Sequence, residues 1–291
     1  CIRDRNYVLE KAGVRMVFAA RRYKDSDYRT MLIEASKQRG VRLDKVIYFG
    51  SSEWYEHMHS EIDDLSEYTS QLKPDDPINI QFTSGTTGFP KGATLTHRNL
   101  LNNGYFIGEL LGYTETDRIC VPVPFFHTFG MVIGTFAAFT HGAAIVIPAP
   151  SFKARETLKA VHSAKATSLY GVPTMFINEL EEAHDQEEYG SPYDLSLLRT
   201  GVMAGTSCPS KTMRDVMDKL NMREIAICYG MTETSPVSFQ TRADSPLEKR
   251  VNTVGQIMPH LEARIICEET GETLPRGEQG EVVVRGYSVM K

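Results

Sequence analysis

The sequence predicts an α/β fold: mainly parallel sheets flanked by helices in two α/β subdomains, with the start of a small β-barrel-like subdomain at the C-terminal end. Three observations predict it. Helix-like and strand-like runs alternate along most of the chain. An apolar content of 41% over 291 residues is enough for real cores. Near Val254 the texture changes to short β-rich runs separated by Gly, Pro and Glu. We place the divisions at 1–107, 108–247 and 248–291, the first ending beyond a glycine-rich loop and the last holding the β-rich runs.

Taken in order, residues 6–12 read as a helix ended by Gly13, and 14–19 as a strand. A helix over 27–38 and a strand over 45–49 follow. Residues 54–62 read as a polar helix; His57 and His59 within it have H-x-H spacing but no third ligand nearby, and we assign no metal there. Residues 66–77, with Pro74, Pro77 and the Asp75 and Asp76 pair, read as a connector. Residues 119–152 contain no Lys, Arg, Asp or Glu, yet Pro122, Pro124, His127, His141, Gly142, Pro148 and Pro150 interrupt them too often for a lipid-facing helix. A buried strand, a loop, a buried helix and a second strand fit better. The alternation resumes with a helix over 154–163, a strand over 167–170 and a helix over 173–183. A strand over 198–203, a helix over 209–220 and a strand over 224–228 complete it. Residues 261–267 and 280–285 read as β-hairpin material.

Charge and cysteine usage narrow the function classes. With 32 Lys plus Arg against 37 Asp plus Glu, the net charge is −5, so no general basic field exists to hold a nucleic acid, although a local patch could bind phosphate. The five cysteines (Cys1, Cys120, Cys208, Cys228 and Cys267) are too scattered for a C-x-x-C motif and read as idle or buried thiols of a reducing compartment. Neither G-x-S-x-G nor G-x-G-x-x-G occurs, which leaves hydrolase-elbow and dinucleotide readings without support.

The sharpest feature is the run Thr83, Ser84, Gly85, Thr86, Thr87, Gly88, Phe89, Pro90, Lys91, Gly92. Ile78, Ile80 and Phe82 alternate with polar residues before it, and a strand-like 93–95 follows it, with Thr96 placed to cap a helix starting near His97. Glycines let backbone N–H groups turn towards a ligand, hydroxyls add donors, and Lys91 adds a cation. That inventory suits a polyphosphate. A Walker P-loop would need Gly directly before the Lys and Ser or Thr directly after, and a helix next; Pro90, Gly92 and a strand stand there instead.

Residues 83–92 resemble the phosphate-loop signature of the adenylate-forming superfamily of acyl-CoA synthetases, luciferases and peptide-synthetase adenylation domains. Further landmarks stand in the family's order: Pro124 to His127, Tyr170 to Thr174, Ala204 to Ser207, Tyr229 to Glu233, and Val254 to Pro259. The resemblance runs the length of the chain. In wording it is nearest to medium-chain fatty acyl-CoA synthetases, through residues 169–176, 235–237 and 257–264.

The resemblance implies a two-step chemistry with ATP and Mg²⁺ as cofactors and CoA as co-substrate. A carboxylate attacks the α-phosphate to give acyl-AMP and pyrophosphate, and the CoA thiol then displaces AMP. It implies that 83–91 grips the β- and γ-phosphates and that the Thr232 hydroxyl meets the α-phosphate. Glu233 would hold Mg²⁺, as a hard carboxylate oxygen suits. Tyr229, Gly230 and Met231 would wall the adenine, with Gly205, Thr206 and Ser207 opposite; Ser207 departs from the family's usual Pro. A lone His in an uncharged stretch is more often a core residue than a catalyst, but His127 matches a family residue between acyl and adenylate pockets. We favour a positioning or gating role over general base, because a carboxylate is already ionised near pH 7. Val172, Gly205 and Gly255 match acyl-pocket positions.

The chain begins without Met and stops in mid-pattern, so it reads as a piece of a longer protein. The family's ribose-binding Asp, hinge and catalytic Lys lie beyond it, and we expect the piece to bind ATP and acyl group yet turn over poorly. The expected location is intracellular, cytoplasmic in a bacterium or the mitochondrial matrix in a eukaryote, and the resemblance allows a homodimer. Other readings stay open: an aryl-acid CoA ligase, an acyl-AMP ligase loading a carrier protein, and a non-catalytic nucleotide-binding module, with a P-loop phosphotransferase a distant further one.

Overall fold

In the computed structural model the described residues are 2–61, 64–83 and 89–291. They form two compact units: residues 1–73 with 80–93, and residues 74–79 with 94–291. The first unit carries α1 (Ile2–Lys11), β1 (Met16–Ala19), β2 (Arg22–Tyr23), β3 (Ser26–Asp27), α2 (Tyr28–Ser36), β4 (Lys45–Tyr48), α3 (Ser52–His59) and α4 (Ser66–Thr69). Strands β1 and β4 pair in parallel, as the alternation predicts. Gly13 ends α1 with φ +60, and Asp27 caps α2 by accepting from the Thr30 N–H. His57 and His59 lie on α3, where each Nδ1 faces a backbone carbonyl four residues back, Glu53 and Tyr55 respectively. The connector over 66–77 contains the one-turn α4, since Asp64 receives the Ser66 N–H at its start. Strands β5 (Pro77–Thr83) and β6 (Lys91–Thr96) pair with each other and run through the division between the units.

The second unit is built on α5 (His97–Leu110), β7 (Arg118–Cys120), α6 (Ala137–Thr140), β8 (Ala144–Val146), α7 (Ala154–Ala164), β9 (Ser168–Gly171), α8 (Pro173–Tyr189), β10 (Thr200–Ala204), α9 (Ser210–Lys219) and β11 (Ala226–Gly230). Strands β12 (Val237–Gln240), β13 (Gln256–Ile257), β14 (Leu261–Ile266) and β15 (Glu281–Gly286), with the short helix α10 (Leu247–Asn252), complete it. The uncharged run 119–152 folds as strand, loop, helix and strand, but its helix over Phe129–Phe136 is a π-helix that passes into α6.

Seven strands form one sheet in the order β13-β12-β11-β10-β9-β7-β8. The run from β8 to β11 is parallel, while β12 and β13 add antiparallel edge strands that the alternation did not predict. Strands β9 and β10 are buried along their whole length, which follows from helices covering both faces. One face packs Ile107, Ile119, Phe129, Ile133, Tyr170 and Val202; the other packs Val161, Leu169, Phe176, Met203, Met213 and Ile225. The C-terminal strands β14 and β15 make a two-stranded antiparallel sheet, and no closed barrel is present among the described residues.

Candidate functional site

Strand order alone points to a site. The chain leaves β7 for its neighbour β8 at the edge, then returns across β7 to β9 on the other side, so the winding direction reverses between β7 and β9. At such a reversal the loops beyond the carboxyl ends of the strands diverge and leave a crevice. Three of the predicted segments lie on the loops leaving these ends: His127 after β7, Val172 directly after β9, and Gly205, Thr206 and Ser207 after β10; Tyr229 and Gly230 close β11 itself. The register Ala204↔Cys228 places the last two groups side by side.

They line one cleft of about 870 Å³, with Gly205, Thr206 and Ser207 on one wall and Tyr229 and Gly230 on another. Tyr229 is 42% exposed, so a ring face is available to a flat ligand, and Phe239 braces it edge-on at 6.0 Å. Gly230 has a steric reason: a Cβ there would stand 1.8 Å from the Pro236 carbonyl oxygen. The third wall, residues 251–254 of α10 and the segment after it, meets the sequence landmarks only at Val254. Cys208 and Cys228 also border the cleft, and burial raises the thiol pKa of both, that of Cys208 to about 11.

Val172 and Gly205 touch: a Cβ on Gly205 would lie 3.1 Å from a Val172 methyl. Gly255 borders a neighbouring cleft instead, and its glycine follows from the backbone. Its φ is +86, and a Cβ would meet the Gln240 carbonyl at 2.3 Å.

Past Met231, which is exposed, Thr232, Glu233 and Thr234 form a single 3₁₀ turn, with Thr232 and Glu233 partly buried. The Thr234 hydroxyl bonds back to the Met231 carbonyl, and the Ser235 N–H donates to Thr232 O, so the turn is internally satisfied. Among the described residues no three His, Cys, Asp or Glu side chains gather as a metal cage. A single carboxylate such as Glu233 fits a cation that arrives on ligand phosphates and keeps most of its own water.

His127 follows β7, with its Nδ1 accepting the Phe129 N–H at 3.1 Å. In the neutral ring the proton is therefore on Nε2. Partial desolvation of the ring lowers its pKa, and protonating Nδ1 would also break that hydrogen bond. In its neutral form the ring thus presents an N–H donor at Nε2.

The first unit holds the ends of the glycine-rich run. The Thr83 hydroxyl reaches the Lys91 carbonyl at 3.5 Å, Phe89 stacks on Tyr7 at 5.1 Å, Pro90 is partly buried and Lys91 is exposed. Ser84, Gly85, Thr86, Thr87 and Gly88 lie outside the described residues.

Comparison with known proteins matches residues 3–291 to the family model described as AMP-binding enzyme. A putative acyl-CoA synthetase, YngI, of Bacillus subtilis (strain 168) is 49% identical over 78% of this chain and 40% of its own length. The mitochondrial medium-chain acyl-CoA ligase ACSF2 of Danio rerio is 42% identical over 91% of this chain and 42% of its own length. The chain thus spans about two fifths of the length of these relatives. The crystal structure of ATP-bound MatB from Rhodopseudomonas palustris superposes with a TM-score of 0.81 at 25% identity, covering 100% of this chain and 54% of that one. With the cleft at the strand ends and this match along almost every residue, the chain belongs to the family of AMP-binding enzymes.

Proposed function

We propose that this chain serves the ATP-dependent activation of a medium-chain fatty acid to acyl-AMP, with pyrophosphate released and the acyl group passed to CoA. The observation that carries the reading is the cleft with Tyr229 facing Gly205, Thr206 and Ser207, a slot for a flat base beside the Thr232 and Glu233 turn. The names borne by the Bacillus and Danio relatives supply the acyl-CoA ligase activity and, for the latter, the medium chain length.

In this reading residues 83–91 take the β- and γ-phosphates, Thr232 hydrogen-bonds the α-phosphate, and Glu233 holds Mg²⁺. The nucleotide's phosphates bring most of that cation's ligands. The transition state gathers negative charge on phosphoryl oxygens, so donors fixed in advance lower its energy. His127 donates from Nε2 to orient the acyl carboxylate or its phosphate partner, and Val172 with Gly205 leaves room for the chain. Gly255 contributes through backbone shape. The isolated chain is a binding unit with little turnover.

Thermal unfolding of the chain with Mg·ATP and with non-hydrolysable acyl-adenylate analogues of graded length tests this. A ligand at a hundred times its Kd adds about 2.7 kcal/mol to folding. A mid-length alkyl analogue is expected to shift the midpoint most. Glu233→Gln is expected to weaken Mg·ATP about tenfold, or ~1.4 kcal/mol, and to leave the alkyl adenylate analogue, which lacks the β- and γ-phosphates, unchanged. A larger shift with an aryl analogue would move the reading to an aryl-acid ligase, and no shift with any analogue would sink it.

A further inference from the structure

We propose that Asn99 and Asn103, one turn apart on α5, are positioning residues that set the place of the turn carrying Thr232 and Glu233. The proposal rests on the reading of that turn given above. Neither asparagine lies in the landmarks named above, and both are buried, at 5% and 0% exposure.

Asn103 grips the exit of the turn. Its Nδ2 donates to the Val237 carbonyl at 2.8 Å and its Oδ1 accepts the Val237 N–H at 3.1 Å, so one amide side chain replaces a strand neighbour. The pairing of β12 with β13 runs over Phe239 and Gln240, and Asn103 takes up the Val237 backbone beyond it. Asn99 grips the turn through an intermediate. Its Oδ1 accepts the Thr96 N–H, closing the capping box of α5, while its Nδ2 donates to the carbonyls of Tyr287 and Val289. The strap over 287–291 then holds the turn: the Ser235 hydroxyl donates to Ser288 O at 2.7 Å, and the Met290 N–H donates to Glu233 O at 2.9 Å. Lys291 N–H ties the strap to Thr94 at 3.0 Å, and Phe106 on α5 packs on the Tyr287 ring at 5.6 Å.

The turn is thus fixed on two sides from one helix, and each grip needs a donor and an acceptor on the same planar group. Only an amide of this length supplies both. A carboxylate or hydroxyl meant for ligand phosphates loses much of its effect when misplaced by about 1 Å.

Amide hydrogen exchange of the ligand-free chain reads the grip directly. Asn99→Ala is expected to speed exchange at Met290, and Asn103→Ala at Val237, each about tenfold. The amides of Tyr170 and Met203 in the central strands should change less. A uniform change across all four amides, or none at Met290 and Val237, overturns the proposal; Asn99→Ser and Asn103→Ser serve where an alanine variant does not fold. In calorimetry the same variants are expected to weaken Mg·ATP about tenfold and leave adenosine unchanged, and equal loss of both overturns the positioning role. If Glu233→Gln leaves Mg·ATP unaffected, the reading of Glu233 fails, and the exchange result still decides whether the asparagines hold the turn.

Discussion

Arg199→Ala is expected to cost about 3 kcal/mol of folding free energy, among the largest single losses available in this chain. Arg199 stands just before β10 and spreads its guanidinium over four partners. Nη2 meets both carboxylate oxygens of Asp117 at 3.1 and 3.2 Å and the Gly112 carbonyl at 2.8 Å, while Nη1 meets the Leu111 carbonyl and Glu224. The Glu224 pair is half exposed and contributes under about 1 kcal/mol. Asp117 is the reason for the large effect. Its side chain is 5% exposed, and removing the cation leaves a buried carboxylate with only Thr114 and Thr167 to solvate it. Those remaining hydrogen bonds place the loss at the lower end of the roughly 3–5 kcal/mol seen for broken buried pairs. The carbonyls at the end of α5 lose their cap at the same time. Urea unfolding at pH 7 measures the difference, and a loss below about 1 kcal/mol would show that Asp117 is held well enough without Arg199.

The second large effect depends on pH. Glu179 on α8 is fully buried, neither carboxylate oxygen has a hydrogen-bond partner among the described residues, and burial raises its pKa well above the usual carboxylate range. The folded chain therefore keeps a proton that the unfolded chain releases above about pH 4.3. Folding stability must fall as pH rises through that window, by about 1.4 kcal/mol per pH unit from this group, until the folded carboxyl also ionises. Glu179→Gln keeps the shape and removes the ionisation. The variant is expected to match the wild type near pH 4 and to exceed it increasingly from pH 5 upward. Parallel stability curves for the two proteins over pH 5–8 would falsify the assignment.

Both groups illustrate what a sequence conceals. In α8 the run Asn178, Glu179, Leu180, Glu181, Glu182 resembles a solvent face, and nothing local separates the buried Glu179 from its exposed neighbour Glu181. Alternation of helices and strands was enough to foresee the parallel part of the sheet, because each βα unit buries its own apolar faces. It was not enough for β12 and β13. These are short, and β12 buries Ser238 and Gln240, so its pairing is set by distant partners rather than by local pattern. The π-helix was legible only as a buried apolar helix, since its hydrogen-bond register leaves no mark in composition. Two walls of the cleft were legible because Gly205 to Ser207 and Tyr229 to Gly230 sit in a signature. The wall over 251–254 was legible only at Val254, the rest being formed by the path of the chain along and after α10 rather than by distinctive side chains. Gly255 carries an acyl-pocket reading from the family resemblance, and its φ and its press on Gln240 give it a separate backbone reason to be glycine.

If the cleft serves the proposed acyl activation, the two thiols that border it carry a consequence. An acyl-adenylate is electrophilic towards any thiolate within reach, and an enzyme handling it risks acylating itself. Cys208 donates its S–H to the Met203 and Thr206 carbonyls, and burial pushes its pKa up to about 11; Cys228 is buried further and its pKa is raised as well. At neutral pH both remain protonated and are poor nucleophiles. On the proposed function, the cleft can be lined with these two thiols and still leave the intermediate for an incoming thiol of ordinary acidity, with chemoselectivity secured by desolvation instead of by excluding cysteine.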